Sequence, residues 1–100
     1  MIRNLLASNS GSVKKALINF TIEQALLEIG KTALDEVGNR LYEKYNCYFH
    51  DCLDHPEYLK DVLQEIFGSG YLSIIQKIQQ RLGEFTEQEP IANFLNVISK

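Results

Sequence analysis

From Val13 to about Tyr45 the chain carries a helical apolar pattern without a proline to interrupt it, and this limits what it can fold into. Ile22, Leu26, Ile29, Ala33, Val37 and Leu41 follow one another by four, three, four, four and four residues. That spacing keeps one helix face apolar, whereas a strand would need alternation with period two. Gly30 and Gly38 interrupt the run, each costing about 1 kcal/mol relative to alanine in a helix interior. The pattern predicts one long helix, bent if anything, with a break into two near Gly30 as the alternative. Ala16, Leu17, Phe20, Leu27 and Leu34 widen the apolar surface beyond a single stripe. A second stripe calls for a second packing partner, and another copy of the chain would serve.

Capping residues divide the remainder. Residues 1–12 end in Ser8-Asn9-Ser10-Gly11-Ser12, a polar tract read as a flexible linker, although Ile2, Leu5 and Leu6 would dock if a groove were offered. Ser12 suits an N-cap, because its hydroxyl accepts an otherwise unpaired amide hydrogen. Asn46 tolerates the left-handed conformation at a helix end. Residues 46–55 form a loop, after which Pro56 suits a first helical position, with Glu57 in the positive first turn. Leu59, Val62, Leu63, Ile66 and Phe67 give that helix its apolar face, and Gly68-Ser69-Gly70 ends it. A helix from about Tyr71 to Leu82, with Leu72, Ile75, Ile78 and Leu82 on one side, closes at Gly83. Pro90 opens a short last helix carrying Phe94, Leu95 and Ile98. The expectation is an all-α small helical bundle: a flexible segment 1–12, then a single domain 13–100. That domain has one long N-terminal helix, a helix-turn-helix pair and a short C-terminal helix.

Composition narrows the function classes. Ten basic against thirteen acidic residues give a net charge of −3, with Lys14-Lys15 the only adjacent basic pair. Nucleic-acid binders concentrate basic charge, so nucleic acid is disfavoured as a partner. No window approaches the ~18–20 apolar residues of a membrane span, and the start is too weakly apolar for a signal peptide. Two cysteines make a poor disulfide framework, so a reducing cytoplasm with free thiols is expected.

Several elements between Leu41 and Leu82 form a familiar series: Leu41-Tyr42-Glu43-Lys44-Tyr45, Asp51-Cys52-Leu53, His55-Pro56-Glu57-Tyr58-Leu59 and Leu63-Gln64-Glu65-Ile66-Phe67-Gly68, then an isoleucine-rich helix. Over roughly residues 16 to 83 the chain resembles the small archaeal output domains described in Nitrosopumilus and its relatives, a family of uncharacterised helical proteins. The resemblance implies an archaeal source and a signal-output or protein-interaction role. It implies no ligand and no catalytic residues.

Local chemistry concentrates in Cys47-x2-His50-x-Cys52-x2-His55, four zinc-ligand types with Asp51 and Asp54 among them. Structural zinc sites draw on separated ligand pairs, so this tight cluster suits a site shared between two chains better than one closed within a chain. Cys47 with His50, or Cys52 with His55, would have to be in contact to form a nucleophile and base, and sequence adjacency does not supply that geometry. The glycine corner 68–70 lacks the lysine of a phosphate loop. It does resemble the turn of a DNA-binding helix pair over residues 57–82, with Gln76, Lys77, Gln79, Gln80 and Arg81 as the contacting set. For protein contacts the candidates are Leu27 and Leu34 on the extra stripe, Tyr48 and Phe49 on the loop, and Phe85 and Phe94 near the last helix.

The reading is a non-catalytic protein-interaction or signal-output module, self-associating as a homodimer, with no cofactor. The alternatives are a DNA-binding regulator using the corner at 57–82 and a zinc-stabilised interaction element through the Cys47–His55 loop.

Overall fold

Gly30 adopts φ 154° and ψ 159°, and the long helix expected over 13–45 is therefore two helices. A side chain is strongly disfavoured in that backbone region, so the turn depends on glycine. The amides of Ile29 and Gly30 both donate to the Leu26 carbonyl, each at 3.0 Å, and close the first helix. The second helix resumes with its own stripe facing the same core, while Ile29 at the corner, expected on that face, is exposed.

The structure is a computed structural model describing the backbone from Ile2 to Lys100 and the side chains from Ser12 onward. Helix α1 spans Ile2–Leu27, α2 Lys31–Tyr45, α3 Pro56–Phe67, α4 Tyr71–Leu82 and α5 Ile91–Ser99. Turns of 3-10 helix at Phe49–Leu53, Gly68–Gly70 and Gly83–Glu87 join the later elements. The chain is an all-α small helical bundle, with no strand among the described residues. Ser12 lies inside α1 and so is not its N-cap. The flexible segment expected at 1–12, and any docking of Ile2, Leu5 and Leu6, fall outside the described side chains.

Ile18, Ile22, Ala25 and Leu26 turn inward from α1, which packs against the Phe49–Leu53 turn and α4. Ala33, Val37 and Leu41 do the same from α2, which lies against α3. Pro56 begins α3 as its spacing predicts. α3 rests on α5, whose Ile91, Phe94, Leu95 and Ile98 are buried. In α4 the inward set is Tyr71, Ile74, Ile75, Ile78 and Leu82, while Leu72, expected inside, is half exposed. Each fully buried Leu, Ile or Phe contributes about 1.5–3 kcal/mol, so this core dominates stability.

Two sets of surface ion pairs tie the helices together. Lys44 donates to Asp61 at 2.7 Å and to Glu65 at 3.3 Å, Arg40 pairs with Glu65, and the Tyr45 hydroxyl donates to Asp61 at 2.6 Å, all between α2 and α3. Glu28, just past α1, accepts from Lys77 at 3.2 Å and from the Arg81 Nε at 3.0 Å on α4. Their hydrogen-bond partners hold the carboxyls of Glu28, Asp61 and Glu65 below their ordinary range. Exposed pairs of this kind contribute little, well below the core.

Two outcomes follow from this architecture. Gly30→Ala meets no neighbouring atom within 4 Å, so its cost is backbone strain alone, about 1–3 kcal/mol, read as a lower urea midpoint. The three carboxyls are depressed in the folded state, so their stabilisation is complete above the ordinary values of 4.5 for Glu and 3.8 for Asp. It fades as pH falls through the folded values. Urea midpoints are therefore expected to drop on acidification below pH 4.5, and less steeply in a Glu28→Gln, Glu65→Gln double variant.

Candidate functional site

The Cys47–His55 segment is ordered by its own backbone. The Tyr48 amide donates to the Asp51 carboxylate at 2.9 Å, and the Asp51 amide donates to the Tyr48 carbonyl at 3.1 Å. These reciprocal bonds start the Phe49–Leu53 turn, which the sequence suggested would be open loop. A helical turn sends neighbouring side chains in different directions. Cys52 is fully buried and Cys47 nearly so, while His50 and His55 stand exposed.

The expected metal cluster of Cys47, His50, Cys52 and His55 is therefore not assembled, and no group of three or more His, Cys, Asp or Glu among the described residues is placed to hold an ion. His55 stacks on Tyr58 with ring centroids 4.7 Å apart, and His50 lies 6.0 Å from Tyr48. The Cys52 thiol donates to the Tyr48 carbonyl at 3.7 Å. Burial pushes both thiols up from their ordinary value, Cys52 far more than Cys47. At neutral pH both therefore stay as protonated thiols rather than nucleophilic thiolates.

Phe49 is also core. Its ring packs across Gly38, where an added Cβ would lie 3.6 Å from the ring. Phe94, expected on a docking surface, is fully buried, because α3 supplies the support its short helix needs. Leu34 is half-buried against the core. Of the six contact candidates, Leu27, Tyr48 and Phe85 are exposed. Tyr48 lies 5.6 Å from exposed Tyr42, forming a small aromatic patch beside the turn.

The glycine corner between α3 and α4 is present, but the cations of α4 are engaged. Lys77 and Arg81 both point to Glu28, and the Gln79 amide donates to Ser99 at 3.3 Å. A phosphate would have to displace a carboxylate to reach those cations.

An exposed apolar row runs along α1. Val13, Phe20 and Leu27 are 64%, 57% and 43% exposed and fall seven residues apart. With Ala16 and Gln24 they lie within about 80° of one another around the helix, opposite the face bearing Ile18, Ile22 and Ala25. α1 is thus apolar on two opposite sides. The sequence places Phe20 and Leu27 together on the extra stripe, with Leu27 alone singled out as a contact, and Val13 escaped notice although its seven-residue spacing extends the row. Exposed apolar rows of this kind mark contact surfaces.

Among the described residues no helix is long and apolar enough to cross a membrane. Both thiols are expected to resist a disulfide reagent in the native protein and to react fully in denaturant, Cys52 being the slower in partial denaturation. Rapid native labelling of Cys52 would contradict the burial described. Comparison with protein-family models, curated proteins and solved structures finds no match to this chain.

Proposed function

We propose that this chain is a non-catalytic protein-interaction module that self-associates, as a homodimer, through the outer face of α1. The observation that carries this reading is the row Val13, Phe20 and Leu27, large apolar side chains held in water on a helix whose opposite side already serves the core. Their seven-residue period is that of a helix seam, so the partner element is itself a helix. The resemblance to archaeal output domains supports the same reading, an output role exerted by binding. We place the protein in the cytoplasm, where its two free, buried thiols remain reduced. DNA binding fits less well, because Glu28 occupies the two α4 cations that would meet phosphate.

Solution mass from light scattering after size-exclusion chromatography, over a range of concentrations, tests this reading. The native chain is expected to rise from monomer to dimer mass with concentration. Phe20→Glu is expected to stay monomeric at every concentration with an unchanged helical circular dichroism spectrum, since the side chain contributes nothing to the core. A native chain that is strictly monomeric at high concentration would overturn self-association.

A further inference from the structure

We propose that the outer faces of two α1 helices pair antiparallel, with Phe20 of each chain meeting on the two-fold axis. This rests on the self-association proposed above and specifies its geometry. The first support is the spacing of the stripe. Val13, Ala16, Phe20, Gln24 and Leu27 are separated by three, four, four and three residues, a series that reads the same in both directions about Phe20. An antiparallel two-fold needs this symmetry, because a two-fold surface must be complementary to itself. Val13 then faces Leu27 of the second copy, short Ala16 faces long Gln24, and the two Phe20 rings meet in the middle.

Charge supports the same orientation. The stripe itself carries no charged side chain, and Glu23 borders it on the side of Ala16 and Asn19. A parallel pair would align the two helix dipoles. An antiparallel pair opposes them, which is favourable. It also carries Glu23 of the second copy beside Ala16. Ala16 is on the rim of a shallow groove of about 380 Å³ lined by Ser12, Lys15, Ala16, Asn19 and His50. Lys15 there already pairs with Asp54 at 2.9 Å, and the His50 Nε2 lies 3.4 Å from Asp51. The second copy thus contributes a carboxylate to a groove containing a cation and an imidazole. Among the described residues the stripe covers fifteen positions, about 22 Å of helix.

Cysteine pairing in the full chain tests the geometry, and the native chain is the control because Cys47 and Cys52 are buried. Val13→Cys and Leu27→Cys chains, one isotopically labelled, are mixed and oxidised gently at a concentration where the native chain is dimeric. The expected product is the mixed Val13→Cys/Leu27→Cys dimer, in several-fold excess over either homodimer, with Phe20→Cys alone cross-linking to itself. Efficient self-linking of Val13→Cys alone would show a parallel pair and overturn the proposal. A native dimer by light scattering with no cross-link in any variant would place the interface elsewhere, overturning this geometry while self-association stands. A monomeric native chain would remove both.

Discussion

The reversal at Gly30 is the constraint on which the rest of the structure depends. It stops α1 after Leu27, turns the chain and lets α2 bring Ala33, Val37 and Leu41 to the core that Ile18, Ile22, Ala25 and Leu26 already face. Had the helix continued straight, the two apolar stretches would have lain end to end, each needing a separate cover. Folding them together leaves the Phe49–Leu53 turn and α4 to cover the inner side of α1. Among the described residues nothing then covers the outer side of α1. The exposed row Val13, Phe20, Leu27 is a consequence of the same turn that builds the core.

Apolar burial and surface charge have different weights here. The core buries more than twenty apolar side chains, and a few of these outweigh every ion pair on the surface. The ion pairs determine which helix faces are already occupied. Glu28 binds the cations of α4, and Asp61 with Glu65 binds those of α2. With Lys15 on Asp54 and Lys31 on Asp35, six of the nine cations among the described residues are matched internally, while the stripe on α1 carries no charge at all. The helical partner proposed above rests on that uncharged face.

The Cys47–His55 segment shows how a motif and a site differ. Four ligand-type residues within nine positions suggest a cluster only if the chain there is extended enough to wrap an ion. Asp51 and Tyr48 instead bond reciprocally and wind the segment into a helical turn. The cysteines then serve the core, and the imidazoles stack on tyrosines at the surface. The same winding moved Phe49 from a contact candidate to a core residue.

Much of this protein was determined locally and could be read from its sequence. Helical periodicity, Pro56 at the start of α3, the glycine corner at 68–70 and Gly83 after α4 act over one or two turns, where propensity and capping decide. Gly30 was visible as a weak point, but an apolar period that continues across it cannot distinguish a bent helix from a corner, because both preserve the stripe. Exposure belongs to tertiary structure. Leu72 and Phe94 look alike as apolar residues on amphipathic helices, yet one is half exposed and the other fully buried, because only the packing of α5 on α3 decides which has cover. The candidate surface shares this origin: the sequence contains two apolar stripes on α1, and the fold alone selects which one faces water. Burial is a relation between distant segments, and a local pattern carries no record of which segment will arrive.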